Sequence, residues 1–300
     1  MLLTASVHLI SWFQAIVLGL LQGVTELFPI SSLGHTVILP HLFGWNNIVA
    51  WQHEGNSPWV PFLVSLHVGS AIGLLIYFWR TWLELLGALW SSISNRRIET
   101  ANERLVWLII AATIPVGILG LALQKVLEDA VAKPIYASIF LVINGVILFA
   151  AESFRQRGSV RRLAAQGGRR SGRRLDTLDY KEAAIIGLFE STALIAGISR
   201  DGVAMTGGLV RGLSNADAAR FAFLLAMPPI LLAGLVKMPQ LVGHQGNGIH
   251  GPALVAIIFA ALAAVGATHF LTKFFSKRGN LRPFGLYCVV FGLAMVIYNA

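Results

Sequence analysis

The stretch QGVTELFPISSLGH, residues 22–35, places polar side chains inside an apolar region that extends over residues 9–43. These polar groups are a carboxylate, two adjacent hydroxyls and an imidazole, and they belong to Glu26, Ser31, Ser32 and His35. Because the residue before a proline avoids the α-helical conformation, we expect Pro29 to end the helix that contains Glu26. The stretch therefore predicts a helix that breaks within an apolar segment, with polar groups gathered at the break.

The composition of the chain is that of an integral membrane protein. Of its 300 residues 56% are hydrophobic and only 12% are charged, and the mean hydropathy is +0.70. A soluble domain carries about 25% charged residues. Apolar runs long enough to span a bilayer as helices cover residues 61–79, 105–123, 135–151, 218–240, 252–275 and 283–299. The predicted class is an all-α polytopic membrane protein with six transmembrane helices.

Two further apolar regions, 9–43 and 183–213, are each interrupted near the middle by polar residues together with proline or glycine. Each half is too short to span a bilayer comfortably. Broken helices are tolerated at membrane depth only where protein covers them or where they line a cavity. We interpret both regions as re-entrant helix–loop–helix hairpins.

The basic residues define the expected orientation in the membrane. Nineteen of the 23 Lys and Arg residues lie in or beside four loops, around 80–104, 152–182, 211–220 and 273–282. By the positive-inside rule these loops face the cytoplasm. The first hairpin then enters from outside and the second from inside, which predicts an inverted-topology repeat.

The two hairpins also show weak sequence similarity to each other. Aligning residues 19–34 with residues 187–202 pairs Gly19 with Gly187, Gln22 with Glu190, Ser31 with Ser199 and Gly34 with Gly202. We therefore expect a single integral membrane domain, 1–300. In it, repeat 1 covers about 9–151, repeat 2 covers about 183–299, and the basic cytoplasmic loop 152–182 joins them.

Charge and cysteine content exclude several other classes of protein. The formal net charge is +9, but the basic stretches lack the interleaved aromatic residues of strand-binding surfaces, so no nucleic-acid partner is expected. The loop 152–182 is instead suited to anionic lipid head groups. The lone Cys288 excludes an intramolecular disulfide and a thiolate metal cluster. Since the first basic residue is Arg80, no secretory signal peptide is expected.

The first hairpin combines several groups suited to an anion. Gln22 and Glu26 are four residues apart and project from one helix face. Ser31 and Ser32 are good N-cap residues for the following helix, and His35 lies one turn further on. A helix N-terminus in a medium of low dielectric constant is a ready anion site.

The second hairpin repeats this arrangement in the stretch GISRDG, residues 197–202. Gly197 allows close approach of the backbone, and Ser199 can cap the next half-helix. Arg200 adds a planar cation suited to phosphate, and it needs a partner if it is buried at membrane depth. If the two hairpin tips meet, Arg200 is expected to face Glu26.

Each of these residues also has a purely structural interpretation. Glu26 can be a carboxylate bonded to backbone, His35 a core histidine with satisfied nitrogens, and Ser31 and Ser32 helix caps without a chemical role. The functional interpretation depends on their convergence with Arg200 on two broken helices.

The two motifs resemble those of the undecaprenyl-diphosphatase family, which is known for bacitracin resistance, and the resemblance extends over essentially the whole chain. The first motif is matched by Gln22, Glu26, Pro29, Ser31, Ser32 and His35. The second motif, Pro-Gly-x-Ser-Arg-Ser-x-x-Thr in the family, is matched at Gly197, Ser199 and Arg200. The chain departs from the family pattern at Leu33, His67, Ala196, Asp201 and Ala204.

The resemblance implies hydrolysis of undecaprenyl diphosphate to the monophosphate and phosphate in a bacterial plasma membrane, at a site open to the outer face. It implies catalytic roles for Glu26, His35, Ser32 and Arg200. Substrate-binding roles fall to Ser31, Ser199, Arg200, Gly197 and Gln22. A divalent cation, Mg²⁺ or Ca²⁺, is expected on Glu26 and Glu190, since this chain has Gln22 and Glu190 where some members of the family have Glu and Gln.

Several alternatives stay open at this point. The attacking group is Ser32 activated by His35, His35 itself, or a water positioned by the metal. A polyprenyl-phosphate transporter is the alternative function, because inverted repeats with broken helices also describe carriers. A weakly active paralogue is a third interpretation, since the second motif is only partly matched. A homodimer is left open.

Overall fold

The computed structural model describes residues 10–54, 57–130, 133–165, 172–243, 248–277 and 279–299. Within these ranges the chain is α-helical, and its only β-type pairing is an isolated bridge between Arg173 and Leu213. The helices are α1 Trp12–Leu27, α2 Ser32–Leu42, α3 Asn46–His53, α4 Trp59–Tyr77, α5 Trp79–Asn95, α6 Ala101–Ala130, α7 Pro134–Ala165, α8 Tyr180–Ser191, α9 Arg200–Val210, α10 Asn215–Val242, α11 His250–Ser276 and α12 Arg282–Asn299.

Six of these helices are long and apolar enough to cross a membrane, which confirms the predicted number of spans. The six segments are Trp59–Tyr77, Ala101–Ala122, Pro134–Arg157, Asn215–Val242, His250–Ser276 and Arg282–Asn299. Each overlaps one predicted run and differs from it by a few residues at the ends. The chain is therefore a multi-pass membrane protein.

The predicted loop regions differ from the structure in two places. Helix α7 continues to Ala165, so the first half of the predicted loop 152–182 is helical. The centre of that loop, 166–171, lies outside the described residues. A helix, α5, also fills most of the predicted loop 80–104. Basic residues identify the side of the membrane but do not prevent a helix, because Arg and Lys are good helix formers.

Glycines allow the hairpin helices to pack closely on the spanning helices. A Cβ atom added at Gly19 or Gly23 of α1 would collide with the backbone of α11 at Ala256 and Ala260. A Cβ atom at Gly187 of α8 would collide with Ala112 of α6 in the same way. Small residues at such contacts let helix backbones approach in a membrane, where van der Waals packing drives association. Both hairpins are thus held against spanning helices by equivalent glycines.

Candidate active site

The first hairpin breaks where the sequence predicts. Helix α1 ends at Leu27, and Ser31 caps α2 by accepting a hydrogen bond of 3.2 Å from the Gly34 amide. Ser31 has a φ of +69°, a conformation that non-glycine residues rarely adopt. Strained backbone of this kind is found at functional sites when the surroundings hold it in place.

The second hairpin turns in the same manner. Ser199 caps α9 and accepts a hydrogen bond of 3.1 Å from the Gly202 amide, which confirms its predicted capping role. Gly197 has a φ of +101° and packs against the backbone of α7 at Ala137, where a side chain would collide. Only glycine fits this turn without strain.

The two hairpin tips touch each other, so the N-termini of α2 and α9 lie side by side. The Gly197 amide donates a hydrogen bond of 3.1 Å to Ser31 Oγ. Gly34 also lies against Gly197 with no room for a side chain of full size between them. The positive ends of two helix dipoles therefore converge, which favours an anion at this point.

Asn144 of α7 joins the two tips a second time. Its Nδ2 donates to the Pro29 carbonyl at 3.0 Å, and its Oδ1 accepts from the Ser199 amide at 3.0 Å. The side chain is fully buried, and Nδ2 also lies 3.4 Å from Cys288 Sγ. The sequence interpretation missed this residue, although a lone asparagine in the apolar run 135–151 was a usable signal.

Glu26 is at the centre of the polar contacts. It faces Arg200, as expected if the two hairpin tips meet. One oxygen, Oε1, forms an ion pair with the Arg200 guanidinium. The other, Oε2, accepts hydrogen bonds from Gln22 Nε2 at 2.9 Å and from the Ser32 hydroxyl. His67 Nε2 of α4 lies 3.4 Å from the same oxygen. The sequence interpretation noted His67 only as a departure from the family pattern and did not place it at the site.

Arg200 lies between two buried carboxylates. In addition to its ion pair with Glu26, it donates to the Ala226 carbonyl at 3.3 Å, and its Nε lies 3.9 Å from Glu190 Oε1. Its side chain is only 17% exposed. The structure thus brings Glu26, Glu190 and Arg200 together from α1, α8 and α9.

Both ring nitrogens of His35 contact groups other than Ser32, the serine that it would activate in one of the three alternatives for the attacking group. Its Nδ1 lies 2.7 Å from the Ser31 carbonyl, and its Nε2 lies 2.8 Å from the Tyr287 hydroxyl of α12. A neutral ring therefore donates from Nδ1 and accepts at Nε2. Phe291 stacks on the ring at a centroid distance of 5.3 Å. Because Ser32 donates to Glu26 instead, the structure does not support the pairing of Ser32 with His35.

Tyr287 is a further site neighbour that the sequence interpretation missed. A tyrosine near the end of a membrane helix is ordinary, so the sequence carries no signal for its contact with His35. Through its Nδ1 contact His35 supports the Ser31 turn, and Tyr287 supports His35 in turn.

Five buried carboxylate and amide oxygen atoms of Arg200's and Glu26's neighbours accept no hydrogen bond among the described residues. They are both carboxylate oxygens of Glu190, both of Asp201 and the side-chain oxygen of Gln22. Asp201, one of the departures from the family pattern, forms no side-chain hydrogen bond among the described residues. A buried carboxylate oxygen that accepts no hydrogen bond is costly, so these oxygens fit a hard divalent cation, which takes oxygen ligands. No three His, Cys, Asp or Glu side chains of the described ranges form a ready-made metal cluster.

Comparison with known proteins identifies the family. Residues 15–294 match the model of the family described as bacitracin resistance protein BacA. The chain belongs to the BacA family. The matched range includes both hairpin tips, Asn144 and the contacts around Glu26 and Arg200.

Curated members of the BacA family are similar to the chain over nearly its full length. Undecaprenyl-diphosphatase of Mycolicibacterium paratuberculosis is 44% identical, with 97% of this chain and 98% of the relative covered. Undecaprenyl-diphosphatase 2 of Frankia alni is 43% identical, with coverage of 95% and 97%. Undecaprenyl-diphosphatase of Acidiphilium cryptum is 38% identical, with coverage of 94% and 96%.

Proposed function

We propose that this chain is an undecaprenyl-diphosphatase, which hydrolyses undecaprenyl diphosphate to undecaprenyl phosphate and phosphate. The reaction returns the lipid carrier to cell-wall synthesis and underlies resistance to bacitracin. The observation that carries the proposal is the contact of Arg200 with Glu26 where two helix N-termini meet. The similarity to curated undecaprenyl-diphosphatases over more than nine-tenths of the chain supports it.

Substrate binding begins with the charge balance at Arg200. Without substrate the guanidinium is neutralised by Glu26. A diphosphate between the hairpin tips offers two oxygen atoms to the planar guanidinium. The N-termini of α2 and α9 supply backbone dipoles that favour the same anion. Ser31 Oγ already accepts from two amides, those of Gly34 and Gly197, so its remaining hydrogen-bonding capacity is to donate its hydroxyl hydrogen to a phosphate oxygen. Ser199 contributes from the opposite tip.

The hydrogen bond from Ser32 to Glu26 supports a serine nucleophile. When Arg200 turns to the diphosphate, Glu26 is free to take the Ser32 proton while Ser32 Oγ attacks the terminal phosphorus. The bond from that phosphorus to the bridging oxygen breaks, and undecaprenyl phosphate leaves with the electron pair. Water then releases phosphate from the serine. In this scheme His35 acts by fixing the Ser31 turn.

A divalent cation, Mg²⁺ or Ca²⁺, belongs to the proposal, and the residues that would hold it are Glu26 and Glu190. Two carboxylates with substrate phosphate oxygens are a usual environment for Mg²⁺. Such a cation neutralises charge on the transferring phosphoryl group. The two carboxylate oxygens of Glu190, neither of which accepts a hydrogen bond among the described residues, support this assignment.

The proposal includes an arrangement in the membrane. The contacts of α1–α2 and α8–α9 at their tips support two re-entrant hairpins in one inverted-repeat domain, with repeats at about 9–151 and 183–299. The first hairpin then opens the site to the outer face, as the distribution of basic residues indicates. A polyprenyl-phosphate transporter is not favoured, since a carrier has no need of a serine bonded to a carboxylate. The homodimer stays a prediction.

Phosphate release tests the function. We expect purified protein in detergent to release phosphate from undecaprenyl diphosphate when Mg²⁺ or Ca²⁺ is present, and to lose this activity in a chelator. Lipid-phosphate transfer across proteoliposomes, without any phosphate release, would overturn the enzyme assignment in favour of a carrier.

The role of Glu190 is tested by how the activity of a Glu190 variant depends on the concentration of divalent cation. The variant Glu190→Gln keeps the size of the side chain but removes one of the two carboxylates, so we expect half-maximal activity to require about tenfold more divalent cation. Titration of activity and of cation binding by calorimetry would measure this shift. Glu182→Gln, on the same helix but paired with Arg173 at 2.8 Å, is the matched control. An unchanged titration would remove Glu190 from the metal site.

A further inference from the structure

Helix α5 has three faces of different chemistry. Its residues fall into stripes that repeat at spacings of three and four, the spacing of one face of a helix. The first stripe packs onto the protein, with Leu85 fully buried and Ser92 almost so, and it comprises Trp82, Leu85, Leu89 and Ser92. Ser92 Oγ accepts a hydrogen bond of 2.9 Å from Trp107 of α6, which fixes this face inward.

The second stripe of α5 is apolar and exposed. Its side chains are between 51% and 74% exposed, and they are Trp79, Leu83, Leu86, Trp90 and Ile93. This surface needs an apolar environment, because a contiguous exposed patch of large side chains is unusual on a surface that faces water.

The third stripe of α5 is polar or small. It comprises Arg80, Glu84, Gly87, Ser91 and Ser94. Glu84 accepts a hydrogen bond of 3.4 Å from Asn102 at the start of α6. A helix with one face on protein, one apolar exposed face and one polar face is suited to a membrane–water boundary.

The position of α5 in the chain excludes a transmembrane course. It lies between two consecutive spans, α4 and α6, and has no apolar window long enough to count among the spans. Helix α4 ends at Tyr77 and α5 begins at Trp79, so there is no room for a loop between them. Arg80 follows the end of α4 and Arg104 lies in the first turn of α6, so α5 begins and ends on the same, basic side of the membrane.

We propose that α5 lies in the plane of the membrane, with its apolar stripe in the acyl chains and its flanking arginines on anionic phospholipid head groups. The leaflet is the one on the basic side of the protein. Leu75 and Ile76 in the last turn of α4, next to α5 in the chain, are exposed apolar side chains as well.

Charge supports anionic lipid as the occupant of this surface. Arg80 and Arg96 are exposed at the two ends of α5, and Arg80 lies 5.2 Å from the ring of Trp79. Arg97 is paired with Glu99 at 3.8 Å and therefore contributes less. Tryptophans at the two ends of an apolar stripe are typical of the membrane interface. A second copy of the chain on this stripe would bring like charges together at its rim.

Spin labels on full-length protein in nanodiscs of zwitterionic and anionic phospholipid test the placement. In a Cys288→Ala background, we expect a label at Leu86→Cys to be more accessible to oxygen than to a water-soluble nickel chelate. A label at Ser94→Cys, on the polar stripe, should show the reverse. Equal access of the chelate to both labels would overturn the proposal. Dipolar coupling between Leu86 labels of two copies would also overturn it and identify a dimer.

The lipid partner is tested by counting anionic phospholipids that remain bound to the purified protein in native mass spectrometry. We expect Arg80→Gln and Arg96→Gln each to lower the affinity for anionic lipid about fivefold. Arg220→Gln, an exposed arginine on α10, is the control that should leave the α5 site unchanged. Unchanged affinity in the double variant would exclude anionic head groups as the partner of α5. Neither variant touches the proposed active site, so phosphate release is expected to be retained.

Discussion

Arg200→Ala is expected to lower kcat/KM for undecaprenyl diphosphate by about 1,000-fold or more, which corresponds to about 4 kcal/mol of transition-state stabilisation. The guanidinium neutralises Glu26 before substrate binds, as in the structure, and holds the diphosphate afterwards. Its loss leaves a buried carboxylate without a cation and a diphosphate without its bidentate partner. Steady-state phosphate release would measure the effect.

Arg200→Lys separates charge from geometry. Lysine keeps the positive charge but lacks the planar fork, so we expect a loss of about 100-fold rather than full activity. Arg220→Ala on α10 is the matched control and should be fully active. Thermal unfolding in detergent must show that both Arg200 variants fold. A folded Arg200→Ala protein with full activity would contradict the proposed site.

Asn144→Leu is expected to lower kcat by about 100-fold while KM changes little, because a misplacement of about 1 Å is sufficient for such a loss. Asn144 touches both hairpin tips, at the Pro29 carbonyl and the Ser199 amide. It therefore positions Ser32 and Glu26 on one side relative to Arg200 on the other. Leucine fills a similar volume but leaves both backbone groups unsatisfied, at about 1–3 kcal/mol for each buried group. Kinetics and thermal unfolding in detergent would measure the two effects.

Asn144→Asp distinguishes positioning from general stability. Aspartate keeps the oxygen that accepts from the Ser199 amide, but it places a second oxygen against the Pro29 carbonyl where asparagine has a donor. We therefore expect an activity between that of the wild type and that of Asn144→Leu. Asn102→Leu, at the exposed start of α6, is the control. A low unfolding temperature with an unchanged kcat in Asn144→Leu would show that the residue only stabilises the fold.

The class of fold was predictable because the membrane imposes strong rules on composition. Spanning helices need long apolar runs, and all six were located to within a few residues. The break at Pro29 and the caps at Ser31 and Ser199 were equally predictable, because these effects depend on neighbours in sequence. Helix α5 was missed because its apolar residues are spaced along one face rather than gathered in a run.

The partners of the site residues were less predictable, because they come from distant helices. The expected contact of Arg200 with Glu26 was correct, since two buried charges of opposite sign at two hairpin tips have few other partners. Of the alternatives for the attacking group, the activation of Ser32 by His35 is not supported by the contacts of either side chain. One helical turn separates Ser32 from His35 in sequence, but Nε2 of the His35 ring contacts the Tyr287 hydroxyl of α12 instead. Nothing in the local sequence specifies that contact.

The sequence by itself determined the six spans, the two broken helices and the identity of the charged and hydroxyl groups at the breaks. These follow from local backbone preferences and from the cost of polar groups in lipid. The tertiary structure decided which of these groups touch: Ser32 with Glu26, His35 with Tyr287, and Asn144 with both tips. Such contacts depend on how α1, α7, α9 and α12 pack, and this packing is fixed by the fit of whole helix surfaces rather than by any one stretch of sequence.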